Sequence, residues 1–320
     1  MSRLPKIVGG RWLNSQPLSE ENLKGKVVLI DFWTYSCVNC KRTIPYLKEW
    51  WRKYKEKNFV MIGIHTPEFE FEKEFNNVKQ ACRDLGVTWP VVLDNDYVNW
   101  NNFANRYWPA KYIADKDGKI VYEHFGEGGY EKTENIIRKL IGEEMEDVSV
   151  KEHGHGNVCF SPTPELYCGY KRGFLSNLPA KADLPAQADR EAYVYDLSFD
   201  YKKPEMKEDT IGLAGKFIAR SEYVESVDAD SELLLRFRAT EVNLVIYPVE
   251  SSAVAEIYLD NDKLPKEYWG EDVNESNIAI SRPTMYNLVK TSGLLEGILK
   301  IKPIKGNFRA YAFTFSGCEY

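Results

Sequence analysis

The residues best suited to chemistry are two cysteines three apart, in the run Phe32-Trp33-Thr34-Tyr35-Ser36-Cys37-Val38-Asn39-Cys40-Lys41. Thiols at this spacing can close a disulfide, supply half of a metal site or pack as small apolar groups. A structural zinc site needs a second C-x-x-C or a pair of histidines at suitable spacing, and none follows. Six residues before Cys37 stands Asp31, the one polar residue inside an otherwise apolar run. That setting favours thiol-disulfide exchange. Cys37 attacks a substrate disulfide, Cys40 resolves the mixed disulfide, and Asp31 relays the proton that Cys40 must lose, through water.

The elements that must place these groups are legible on either side. Residues 26–33 are β-branched and aromatic, the pattern of a strand buried on both faces. After Cys40 the apolar residues Ile44, Leu47, Trp50, Trp51 and Tyr54 fall at helical spacing, so Cys37 stands at or just before a helix N-terminus. Unpaired N–H groups and the positive end of the helix dipole favour a thiolate there. Ile7-Val8 and then Arg11-Trp12-Leu13 read as a short N-terminal strand or hairpin turning at Gly9-Gly10, and residues 18–23 as a short helix or turn. Residues 59–65 read as a second buried strand parallel to the first. A helix follows with Phe71, Phe75, Val78, Cys82 and Leu85 on one stripe, closed by Gly86. Then come a strand at 89–93, a short helix at 99–107, a hairpin over 110–125 turning at Asp115-Lys116-Asp117-Gly118, and a helix over 131–145. His65 is read as a strand-end histidine rather than a proton shuttle, and Cys82 as a core thiol.

The string from Asp31 to Cys40, with Thr66-Pro67-Glu68-Phe69 and Trp89-Pro90-Val91-Val92-Leu93-Asp94-Asn95-Asp96, resembles the TlpA-like branch of the thioredoxin superfamily, and in particular the soluble C-terminal part of DipZ-type proteins. The resemblance implies an α/β thioredoxin-like domain, a cis peptide bond before Pro109, and no cofactor beyond the cysteine pair. It implies that Trp108 and Pro109, with Tyr35, Ser36, Val38 and Asn39, meet an extended protein substrate by strand addition. It also implies an electron donor such as a thioredoxin reductase-like protein or a membrane thiol transporter. One residue departs from the pattern: Ser36 stands where thioredoxins proper carry Trp. A thiol peroxidase is the competing enzyme reading, because Thr34-x-x-Cys37 fits part of the peroxiredoxin signature. Against it, Ile30 stands where a Pro is expected, and a second Cys three residues on suits disulfide exchange.

The chain has 320 residues and a net charge of −6, with no basic stripe, which argues against a nucleic-acid partner. Its length predicts two domains, placed at 1–147 and 163–320 with a linker at 148–162. No apolar stretch marks a signal peptide or membrane span, so a cytoplasmic protein is expected. His153-x-His155 with Cys159 could bind a metal, but a polar, Gly-broken linker collects such residues by chance. From Ser161 on the pattern is strand-like. Leu233, Leu235 and Phe237 alternate with polar residues, then Val242, Leu244 and Ile246, and Tyr311, Phe313 and Phe315 share a face of the last strand. This predicts an antiparallel β-sandwich, which also matches the DipZ resemblance, serving as a binding or docking domain for carbohydrate or protein. A third reading makes that module the main function and the redox pair its appendage. First and last strands of a sandwich are often neighbours, so Cys168 and Cys318 are candidates for a disulfide, with Cys159 as a competing partner and three unpaired thiols as the plain alternative.

Overall fold

The structure is a computed structural model that describes residues 3–143, 159–177 and 192–318. The chain divides into two compact units, Met1–His153 and Gly154–Tyr320. The expected linker lies outside the described residues as far as 158. From Cys159 on, the chain is tied to the end of the second unit: Phe160 N–H donates to Gly317 O at 2.7 Å.

In the first unit the elements are β1 (Trp12–Leu13), α1 (Glu20–Leu23), β2 (Val27–Trp33), α2 (Val38–Tyr54), β3 (Phe59–His65), a 3₁₀ turn (Glu70–Lys73), α3 (Phe75–Leu85), β4 (Val91–Leu93), α4 (Val98–Asn102), β5 (Ala110–Ala114), β6 (Ile120–Phe125) and α5 (Tyr130–Ile141). The sheet order is β1-β4-β3-β2-β5-β6. β2 pairs parallel with β3 and antiparallel with β5. This is the thioredoxin-like layout, with the all-buried β2 at the centre of the sheet. The expected stripe on α3 is broken: Phe71 belongs to the 3₁₀ turn, and the chain is extended at Glu74 before the helix begins. Val78, Ala81 and Cys82 form the buried face that remains. Gly86 ends α3 at φ 66°, a left-handed conformation that glycine adopts without a Cβ penalty.

The second unit contains β7 (Leu166–Tyr167), β8 (Ser198–Tyr201), β9 (Thr210–Ala219), β10 (Val224–Ser226), β11 (Glu232–Pro248), β12 (Ala253–Leu259), β13 (Asp262–Lys263), β14 (Val273–Asn274), β15 (Asn277–Ile280), β16 (Thr284–Lys305) and β17 (Phe308–Ser316). Every ladder among these strands is antiparallel. The two strand patterns at 233–237 and 242–246 are halves of one 17-residue strand, β11. Its first part pairs with β9 and its second with β17, across register shifts at Ala239/Glu241 and Val242/Asn243. Bulges of this kind bend a long strand so that it can serve both layers of a sandwich.

The first and last strands are neighbours, as expected, but the disulfide joins Cys159 to Cys318. The antiparallel register explains the correction. Tyr167 faces Ala312 and Leu166 faces Phe313, so the main chain of Cys168 meets Tyr311 while Cys318 runs back toward Cys159. Cys168 is a free thiol, fully buried in the sandwich core.

Candidate functional site

The loop between β2 and α2 delivers both cysteines. Cys37 is the N-cap of α2, and its Sγ accepts the Cys40 N–H at 3.3 Å. Three residues of helix carry Cys40 one turn inward, where it is 2 % exposed, while Cys37 remains half-exposed. Burial, with the neighbouring Cys37 and Asp31, raises the Cys40 thiol well above its ordinary range. The pair therefore has one accessible sulfur at a helix start and one sheltered sulfur behind it, the order expected from spacing.

Asp31 lies in the central strand, 2 % exposed. Burial pushes its carboxyl up to about 7 against the downward pull of Lys111. Lys111 is paired with Asp31 across the β2–β5 ladder and is completely buried. Side chains at paired positions project to the same face of a sheet, and the two groups interact electrostatically with each other and with Cys40. Burial lowers the Lys111 ammonium, while Asp31, Cys40 and Glu127 raise it. Neither Asp31 Oδ1 nor Lys111 Nζ has a hydrogen-bond partner among the described residues. A carboxyl near neutrality beside a buried thiol matches the proton acceptor a resolving cysteine needs.

The expected contact residues divide into two groups. Trp108 precedes Pro109 through a cis peptide bond, is half-exposed, and donates its indole N–H to Thr66 O at 3.1 Å. Asn39 is also half-exposed. Tyr35, Ser36 and Val38, expected at the substrate surface, are instead buried. Tyr35 stacks on His65 with ring centroids 5.7 Å apart, and Ser36 turns inward onto Glu72. His65 itself is completely buried, which pushes its imidazole down to about 3, so it stays neutral and is no proton shuttle near neutral pH.

Spacing did not reveal Lys111, Glu72, Tyr107 or Phe125. The first two come to the site only through strand pairing and loop packing. Tyr107 and Phe125 are exposed aromatics with centroids 5.3 Å apart, and the Gly126 N–H donates to Pro109 O at 2.8 Å, placing this apolar patch beside the cis peptide. The available signals were a lysine inside an apolar strand and an aromatic directly before Trp108. In the linker, His153 and His155 lie outside the described residues, and Cys159 is committed to its disulfide.

Residues 4–141 match the Redoxin family, and residues 163–316 match the family described as "Thioredoxin like C-terminal domain". Protein DipZ of Mycobacterium bovis is 32 % identical over 313 residues, 95 % of this chain and 41 % of that protein. Thiol-disulfide oxidoreductase ResA of Bacillus thuringiensis is 30 % identical over 128 residues, 40 % of this chain and 71 % of ResA. Thiol-disulfide oxidoreductase YkuV of Bacillus subtilis is 29 % identical over 141 residues, 44 % of this chain and 95 % of YkuV. The chain thus spans less than half the length of the DipZ protein it matches.

Proposed function

Because the chain belongs to the redoxin group of the thioredoxin superfamily, we propose that it is a thiol-disulfide oxidoreductase working through Cys37 and Cys40. The observation that carries this reading is the half-exposed Cys37 capping α2 in front of a buried Cys40 that borders Asp31 and Lys111. In the reducing direction, the Cys37 thiolate attacks one sulfur of a substrate disulfide, forming a mixed disulfide and releasing the other sulfur as a thiolate. Cys40 then gives its proton to Asp31 and attacks Cys37 Sγ. The substrate leaves with both sulfurs reduced, and the enzyme is left with a Cys37–Cys40 disulfide. An electron donor of dithiol class, such as a thioredoxin reductase-like protein or a membrane thiol transporter, returns the pair to its starting state.

The cis peptide before Pro109 and the apolar patch of Tyr107 and Phe125 suit an extended polypeptide as substrate. The β-sandwich serves as a docking module. Its exposed large apolar residues are Phe160, Phe174, Leu197 and Ile304 among the described residues, and its one tryptophan, Trp269, packs on the core with its indole N–H bonded to Leu264 O. That pattern favours protein over carbohydrate at this surface. The Cys159–Cys318 disulfide favours an oxidising compartment over the cytoplasm.

Turnover with insulin disulfides and with hydrogen peroxide, measured side by side with dithiothreitol as reductant, tests the reading. Disulfide reduction that is lost in both Cys37→Ser and Cys40→Ser is expected. Peroxide turnover faster than disulfide turnover, and surviving Cys40→Ser, would assign a peroxidase instead.

A further inference from the structure

The loop entering Cys37 is gripped from a distant part of the chain. Ser36, immediately before the nucleophile, is 1 % exposed, and both its donors meet one oxygen of Glu72: the hydroxyl at 2.6 Å and the backbone N–H at 3.3 Å from Oε1. The other oxygen accepts the N–H groups of Glu68 at 2.6 Å and Phe69 at 3.0 Å, which closes the 3₁₀ turn. The Thr34 hydroxyl also bonds to Glu72 and lies 3.4 Å from His65 Nε2. Glu72 is completely buried. Burying a carboxylate is costly unless donors surround it, and a turn alone needs only the Oε2 bonds. The second oxygen instead spans 36 positions of sequence to the residue beside the attacking sulfur.

We propose that Glu72 is a positioning residue for the nucleophile, fixing Ser36, and through it the backbone of Cys37, against the segment that follows β3. The proposal rests on the reading of Cys37 as the attacking sulfur. It gives Ser36 a reason to differ from the Trp of thioredoxins proper: the hydroxyl is the part Glu72 holds. Attack on a sulfur requires alignment, and a shift of about 1 Å at a reacting atom can cost orders of magnitude in rate.

The test is the second-order rate of iodoacetamide alkylation at Cys37 in the reduced 320-residue chain, followed by peptide mass mapping, with amide hydrogen exchange of Ser36 and Cys37 as a second readout. Ser36→Ala and Glu72→Gln are each expected to slow alkylation by about threefold or more and to speed exchange of both amides. The double variant should react no more slowly than Glu72→Gln alone, since both changes break one interaction. Ser36→Thr, which keeps the hydroxyl, should stay within about twofold of the parent. If Glu72→Gln fails to fold, the contrast between Ser36→Ala and Ser36→Thr decides. Overturning results are parental alkylation in Ser36→Ala, or an equal slowing by Ser36→Ala in the parent and in Glu72→Gln. Alkylation needs no disulfide substrate, so failure here is separate from failure of the oxidoreductase reading, which shows as absent exchange in the parent chain.

Discussion

At Asp31 the carboxyl is held near 7 by burial, against the pull of Lys111, and this shift has a sign for stability. In the unfolded chain the group ionises near 3.8, so between about pH 4 and 7 the folded protein keeps a proton that the unfolded one has lost. Stability therefore falls as pH rises through that window, and the full penalty is present above it. Asp31→Asn should stabilise the fold by roughly 1–3 kcal/mol at pH 8 and by little at pH 4, read by denaturant titration at both pH values. The same variant should slow disulfide exchange above neutral pH, because Cys40 loses its proton acceptor. Equal stability gains at the two pH values would contradict the burial argument, and an unchanged pH-rate profile would remove Asp31 from the mechanism. Cys37, Cys40 and Asp31 were legible because strand, loop and helix are contiguous, so their spacing fixes their geometry. Lys111 and Glu72 were not, because they reach the site from 80 and 36 residues away, through the Asp31–Lys111 strand pairing and the Ser36–Glu72 contact.

Among the elements, β3 shows how tightly the central sheet is packed beside the site. Gly63 is paired with Asp31, and a Cβ there would come within 2.9 Å of Trp33 Nε1, 3.1 Å of Trp89 Nε1 and 3.3 Å of Val91 Cγ2. Both indoles are buried, so neither can swing away freely. Gly63→Val should cost about 1–3 kcal/mol through overpacking, seen as a lower thermal midpoint of the first unit. An unchanged midpoint would show that the two tryptophans yield at no cost. Element order in this unit was legible from periodicity, while the separation of Phe71 from α3 was not, because three- and four-residue spacing continues across the break at Glu74. In β11 the sequence held a finer signal than the two short strands it suggested. Core positions are odd at Leu233, Leu235, Phe237 and Ala239, then even at Val242, Leu244 and Ile246, and the change of parity marks the bulge. A similar slip in β17 leaves Phe313 in the core and sets Tyr311 against Tyr223, so the expected single face for both is not formed.

For the whole molecule, the structure holds one cross-link, Cys159–Cys318, and leaves Cys37 and Cys40 as free thiols. The Cys159–Cys318 bridge spans 159 residues of sequence, and closing a loop of that size contributes about 5 kcal/mol on the entropic account. Cys159→Ser should therefore lower the stability of the second unit by several kcal/mol, up to that bound, and leave disulfide turnover at Cys37 intact. Non-reducing peptide mapping that returns a Cys168–Cys318 peptide would contradict the pairing. That pairing was only half legible: neighbouring first and last strands followed from the sandwich, but which cysteine faced Cys318 depended on a register that only the assembled sheet displays. The remaining thiols are unsuited to exchange, since burial pushes Cys82 up to about 12 and raises Cys168 as well. The central claim is tested most directly by incubating the Cys40→Ser protein with a disulfide-bonded peptide and mapping the adduct by mass spectrometry. The account predicts a stable mixed disulfide on Cys37 that the parent chain resolves. An adduct on Cys82 or Cys168, or none at all while Cys37 is reduced, would contradict it.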